Sequence, residues 1–473
     1  MIYTHRIPAG EEPSVDYAVT VDGAEVGVYQ CRVSAIPFCT VWPGQQRSLD
    51  QTEMASFLYF SMDGGQPVNI RIKPRHDFKE AVIRPLSRKI VPEINDNTIV
   101  FTVDKPGHLT LELDGHSFAL HIFINPHDEF NVDKNAANVI YFGPGVHHPG
   151  PIDLEDNQIL YVDDGAVVHT GIDARNKRNI RVLGHGIIDN SEYERKEGSL
   201  TCYRATNCEN VEVCGVIFRD ASSWTLTATG CVNLICDNIK MIGMWRYNSD
   251  GIDFVNSRNA LVQNCFLRNY DDCVVLKGYP RHGDVNVENI TVRKCVLWCD
   301  WGRTLEVGAE TCAPEYRGII FEDCDIIHTS HVALDIQNSG YAHVHNVIFR
   351  DIRVEYSKYQ REPIYQQTLD MEYSPAPGTH LPRLMVAEVT TGYADMFAPG
   401  CVYGRNSEIY FENIQVIADE GLSVPPSIFV GHSDISNTRG IHIKDLYFNG
   451  EKLDSLKNAN ITVGKSADNV KIC

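Results

Sequence analysis

The chain has 473 residues, 43% of them apolar and 22% charged, with a formal net charge of −20 at pH 7. That is enough apolar material for a large core, in two or three domains or in one elongated repeat domain with a smaller companion. The acidic balance excludes nucleic acid and anionic membrane surfaces as expected partners, since both need a basic footprint.

The start, Met1-Ile2-Tyr3-Thr4-His5-Arg6-Ile7-Pro8, has no basic segment leading into an apolar core. No later stretch approaches the roughly 18 apolar residues that a membrane span needs. The expectation is a cytosolic protein, or a secreted one had a leader been trimmed.

Residues 1 to 130 carry short alternating runs: Ala24–Tyr29, Ala55–Phe60, Asn69–Ile72, Thr98–Val103 and Leu109–Leu113. Turns such as Asp63-Gly64-Gly65 and Asp114-Gly115 separate them, which predicts a small antiparallel β-sandwich closed at Pro126-His127-Asp128.

From Val139 a different pattern takes over: an Asn or small residue, a short alternating strand, then a polar turn. The copies begin at Asn210, Asn233, Asn259, Asn289, Gly318 and Asn346, with later ones at Ser407 and Gly440. Their first apolar residues are 211, 234, 260, 290, 319 and 347, giving spacings of 23, 26, 30, 29 and 28. Short strands at that period, without helical periodicity between them, predict the coils of a parallel β-helix over residues 131–473. A β-sandwich has no reason to hold one register, and the Leu-x-x-Leu-x-Leu consensus of leucine-rich repeats is absent.

Fifteen cysteines, eleven between Cys202 and Cys324, have no framework spacing and predict buried thiols. Cys265, Cys295 and Cys324 each follow a repeat anchor by five residues, which predicts one interior column. Cys295-x₃-Cys299 alone is too weak for a zinc site, so neither a metal nor a cofactor is expected. The proline-rich segment Tyr359–Pro382 reads as a long loop inserted between coils.

Asn248-Ser249-Asp250-Gly251-Ile252-Asp253 and Asp271-Asp272-Cys273 place three candidate catalytic carboxylates, Asp250, Asp271 and Asp272, within one repeat length. Adjacent aspartates opening an apolar run raise each other's pKa. Glycoside hydrolysis uses such asymmetry, with one carboxyl protonated to donate to the leaving oxygen and others ionised to activate water. Solvated turn residues are the plain alternative for either motif by itself.

On these motifs the chain resembles the polygalacturonase family, glycoside hydrolase family 28, and the related family 49 of dextranases and isopullulanases, both right-handed β-helices. Asn248-Ser249-Asp250 stands where those hydrolases carry Asn-Thr-Asp, and Asp271-Asp272 where they carry Asp-Asp. Gly184-His185-Gly186-Ile187-Ile188-Asp189 and Ser222-Ser223-Trp224 are similar to further elements, and the likeness spans about residues 139 to 450. It implies an all-β fold, a right-handed parallel β-helix preceded by a sandwich. It also implies an inverting hydrolase with Asp271 as general acid, and Asp250 with Asp272 holding and deprotonating water.

The departures bear on substrate. The family Gly-His-Gly corresponds to Trp301-Gly302-Arg303, with Arg303 at the histidine position, and the family Arg-x-Lys corresponds to Asp335-Ile336-Gln337. Exchanging two cations for Asp335 and Gln337 repels an anionic sugar at close range. The expected substrate is a neutral, dextran-like α-glucan, with pectic galacturonides as the alternative. Asn248, Lys277, Trp301, Arg303, Glu306, Asp335 and Gln337 are the expected substrate-binding residues, Asn248 as an orienting amide and Lys277 as either a tuning charge or a strand cap. Trp224 and Trp245 are further candidates for stacking on sugar rings. A polysaccharide lyase, a transglycosylase and a non-catalytic glycan-binding β-helix are the other classes open, and the oligomeric state is left open.

Overall fold

The computed structural model describes residues 1–35, 49–127, 130–195, 200–359 and 382–473, with two further two-residue strands, Ile364–Tyr365 and Ser374–Pro375. Most of the expected loop 359–382 lies outside the described residues.

The N-terminal part is a sandwich of two sheets. One contains Ile2–Tyr3, Tyr29–Ser34, Thr52–Met62, Ala81–Arg84, Gly107–Leu113 and Leu120–Pro126; the other contains Tyr17–Val21, Ala24–Val26, Val68–Pro74, Glu93–Asn95 and Thr98–Val103. Val68, Ile70 and Ile72 turn into the core while Asn69, Arg71 and Lys73 face out, the alternation that one-sided burial demands. Two details differ from the sequence expectation. Ala24–Tyr29 is not one strand, since the chain breaks after Val26 and resumes at Tyr29, and Leu120–Pro126 pairs with Thr52–Met62 in parallel.

From Val139 the chain winds as a right-handed parallel β-helix with three strands per coil. The first face carries the Asn-led strands, and the repeat anchors align in one register column: Val211, Leu234, Ala260, Ile290, Ile319, Val347, Ile409 and Ile441. The asparagines ahead of them sit in the left-handed region (φ of 58°, 61°, 57° and 56° at Asn210, Asn233, Asn259 and Asn289), which short polar side chains tolerate. Each amide donates to the one a coil earlier at 3.0–3.2 Å, which explains why the repeat opens on Asn. Inside, the Cys295 thiol lies beside those of Cys265 and Cys324 in the expected column, and every cysteine among the described residues is free.

The second face packs against the sandwich. Val167, Ile187, Ile217, Ile242, Phe266, Val296 and Ile327, the outward residues of its strands, meet Tyr29, Phe57, Tyr59 and Phe123. Strands buried on both sides need apolar residues at consecutive positions, and Ala166-Val167-Val168 and Ala55-Ser56-Phe57-Leu58-Tyr59-Phe60 have that form. The third face is an 11-stranded parallel sheet that runs from Ile152–Asp153 to Ile461–Val463. No helix among the described residues is long and apolar enough to cross a membrane.

Candidate active site

The candidate carboxylates cluster where three successive coils turn from the second face into the third. Asp250 precedes the strand Ile252–Val255, Asp271 and Asp272 precede Val274–Gly278, and Gly302 precedes Arg303–Thr311. Parallel pairing stacks these entries: Gly251 N–H donates to Asp272 O at 2.7 Å, and Cys273 N–H to Arg303 O at 2.9 Å. Residues far apart in sequence thus meet because each begins the same strand of its coil. Gly302 sits between the paired aspartates, and a β-carbon there would overlap an oxygen of each.

Asp250, Asp271 and Asp272 are all buried, at 1%, 4% and 7% exposure. Burial, reinforced by the neighbouring Asp250 and Asp272 charges, pushes the Asp271 carboxyl well above the usual carboxylate range, which favours its protonated form. Burial also raises Asp250, but Lys277 pulls it back, and it settles at about 6. Asp250 Oδ2 accepts from Lys277 Nζ at 2.7 Å, while Oδ1 has no protein donor. Asp272 accepts the Arg303 backbone N–H at 2.8 Å. The site therefore holds one carboxyl shifted toward its protonated form and one that ionises near pH 6.

The structure places Lys277 inside this cluster, in the position of a charge that tunes the carboxylates. Its ammonium lies 2.7 Å from Asp250 and 2.9 Å from Asp253 and 4.0 Å from the Trp224 ring centroid, with burial opposing its charge and the two carboxylates sustaining it. Asp253 is a site residue that the motif reading quoted but assigned no role. Its signal was an acid between Ile252 and Phe254, which both enter the core. The register puts Asp253, Val275, Glu306 and Asp335 in one column along the third face, on successive coils.

Arg303 threads the far end of that column. Its guanidinium donates to Gln337 Oε1 at 3.0 Å, and Nε lies 3.4 Å from Asp335 and 4.0 Å from Glu306. Burial opposes its charge, but Glu306, Asp272 and Asp335 hold the guanidinium protonated. Glu306 has no hydrogen-bond donor on either oxygen; burial and the Asp272 charge push it well up. Asp335 is raised to about 7 by burial, against the pull of Arg303.

Asn248 is in the left-handed region (φ 57°), and its Oδ1 accepts from Arg195 at 2.7 Å, so it is a turn residue whose amide is also held. Trp301, half-buried, stacks on Tyr270 with ring centroids 5.4 Å apart and lies near Tyr247. Tyr247, Tyr270 and Arg195 are additions that no sequence motif marked. Trp245 donates to Asp220 at 3.0 Å and lies under Arg246, apart from the carboxylates.

Residues 165–394, which contain this whole arrangement, match the family model described as Glycosyl hydrolases family 28. Polygalacturonase QRT2 of Arabidopsis thaliana is 25% identical over 194 residues, 37% of this chain and 42% of that protein. A Dextranase of Arthrobacter sp. is 22% identical over 198 residues, 36% of this chain and 30% of that protein. The chain thus spans less than half the length of either relative. Dex49A from Penicillium minioluteum superposes with a TM-score of 0.68 at 14% identity, covering 98% of this chain and 96% of that one, so the shared fold takes in the sandwich as well as the helix. Residues 165–394 are thus similar in sequence to the family 28 glycosyl hydrolases, and the chain as a whole shares the fold of Dex49A.

Proposed function

We propose that the protein is an inverting glycoside hydrolase that cleaves a neutral poly- or oligosaccharide. The observation that carries the reading is the unequal state of two neighbouring buried carboxyls. Asp271 is shifted toward the protonated form that a general acid needs before the leaving oxygen departs, while Asp250, paired with Lys277, ionises near pH 6 and has a buried Oδ1 with no protein donor, which a water can serve. In this reading Asp250 and Asp272 take the proton of the attacking water, and Asp271 gives its own to the departing sugar. The anomeric configuration inverts, because the water attacks opposite the bond that breaks.

The neutral-sugar preference rests on Arg303. Its guanidinium is spent on Gln337, Asp335 and Glu306, so a uronate carboxylate placed there competes with protein carboxylates for one cation. The Arabidopsis relative's name, Polygalacturonase, favours the second reading, a pectic galacturonide. A reducing-sugar screen over dextran, pullulan, arabinan and polygalacturonate separates them, with an Arg303→Ala variant alongside. Faster turnover of polygalacturonate than of every neutral glycan defeats the neutral reading, and no new reducing ends from any glycan defeats the hydrolase.

A further inference from the structure

Behind the catalytic face, the joint between the sandwich and the β-helix holds a second group of polar side chains that hydrolysis does not use. Glu112, on the strand Gly107–Leu113, and His116, on the turn after it, come from the sandwich; His328 closes the strand Asp325–His328 of the helix. One ligand atom from each lies within 4.8 Å of the others. Glu112 Oε1 bonds His328 Nε2, and the His116 and His328 rings lie 4.0 Å apart. His116 Nε2 is buried with no hydrogen-bond partner. An orphaned ring nitrogen beside a second imidazole and a carboxylate is costly as it stands and is satisfied at once by a cation.

We infer that Glu112, His116 and His328 bind a divalent transition ion of the zinc type, which clasps the N-terminal sandwich to the β-helix. Two imidazole nitrogens and one carboxylate oxygen are a zinc donor set with a fourth position left for water. A cavity of about 30 Å³, lined by His116 and His328 with Asp300 and Trp298, adjoins the group and has room for that water. The surrounding charge accommodates the ion. Arg84 is engaged at 2.8 Å by the other oxygen of Glu112 and also by Glu355, and Arg268 by Asp300 at 3.4 Å and the Trp298 ring, leaving three carboxylates to two guanidiniums.

Two other clusters, His148 with His169 and Glu192, and Glu315 with His343 and His345, have the same residue types but are half-buried or exposed. His148 pairs with Glu192 at 2.9 Å and His343 bonds Ser407 at 2.8 Å, while His345 Nε2 is buried without a hydrogen-bond partner, 3.9 Å from Glu315. They serve as internal controls.

The test is a Zn²⁺ titration of the full chain after dialysis against a chelator, in competition with a chromophoric indicator. About one equivalent bound, with Tm rising as Zn²⁺ is added, is the expected result. Co²⁺ in its place should give the intense visible bands of a four-coordinate site, without the near-ultraviolet charge transfer of thiolate ligation. His116→Gln and His328→Gln should each lose the equivalent and the Tm response. A His148→Ala/His345→Ala double variant leaves the joint untouched and should keep both, so the inference stays decidable even where a joint variant does not fold. No uptake by the wild-type chain, or uptake that disappears in the double variant, overturns it.

Discussion

Replacing Lys277 with Met keeps most of the side-chain volume and removes the charge that lets Asp250 ionise. Nζ is 2.7 Å from Asp250 and 2.9 Å from Asp253, with all three side chains almost wholly buried. Its loss strands two carboxyls in a low-dielectric pocket, and removing one partner of a buried ion pair costs about 3–5 kcal/mol. Part of that cost is avoided by taking up protons. If a third of about 4 kcal/mol falls on the Asp250 equilibrium, at about 1.4 kcal/mol per unit its pKa climbs by about one unit. The acid limb of kcat/KM on the best glycan should therefore move from near pH 6 to near 7 or above, in step with the ionisation of Asp250.

Stability gives an independent check. A carboxyl whose folded pKa is raised binds more protons in the native than in the unfolded state between its two pKa values. Stability is then lost as pH rises through that window, which for wild-type Asp250 runs from 3.8 to about 6. In the Lys277→Met variant the window extends upward, so Tm should fall more at pH 7.5 than at pH 4.5, where both carboxyls carry protons. An acid limb that stays within about 0.3 units of the wild type, or equal Tm losses at both pH values, refutes the electrostatic role of Lys277.

Asp271→Asn and Asp250→Asn should each lower turnover by about 10²–10⁴-fold, Asp271→Asn with little change in Tm and Asp250→Asn with a lower Tm because it leaves the buried Lys277 to Asp253 alone; near wild-type hydrolysis by either variant removes that residue from the mechanism. The first product seen by proton NMR should carry the inverted anomer, and a retained anomer contradicts the roles given to Asp250 and Asp271. Gly302→Ala, whose added carbon meets oxygens of both Asp271 and Asp272, should cost activity far more than Tm, and an active Gly302→Ala enzyme means that the two carboxyls are not held as described. Asp335 ionises only near pH 7, so Asp335→Asn should flatten the fall of Tm between pH 4 and 7, and an unchanged slope excludes it as a source of that fall.

The helix was legible because its register is written into the sequence by two local devices. The residue ahead of each anchor adopts a left-handed conformation, which selects Asn or Gly at all of these anchors but Ile409, where Glu408 takes it, and the interior position five residues after the anchor is apolar, filled by Cys, Ile, Val or Leu. Both recur once per coil, so a count along the chain finds the column that the hydrogen bonds later trace. The sandwich was legible for its alternating strands, but its sheet pairing was not. The parallel contact between Thr52–Met62 and Leu120–Pro126 joins segments some 60 residues apart, and no turn residue records it.

The three aspartates were legible for the opposite reason: they break the pattern, standing where a strand entry should be apolar or a simple turn. What surrounds them was not, because it depends on which coil each residue lies above. Lys277 reads as a basic strand end until the register sets it diagonally across from Asp253. Asp335 and Gln337 read as a lost clamp, and Arg303 as a replaced histidine, until stacking sets the Arg303 guanidinium against both of them. The positive charge therefore stands next to Asp272 and faces protein carboxylates, and under the proposed neutral-sugar reading such a site discriminates against an anionic sugar by occupancy as well as by repulsion. Freeing that cation takes the loss of Asp335 and Glu306 together, since either carboxylate left in place continues to hold it. A gain of galacturonide binding in the Asp335→Asn/Glu306→Gln double variant and in neither single variant is the outcome this arrangement requires, and a gain in either single variant shows that the cation was never shared.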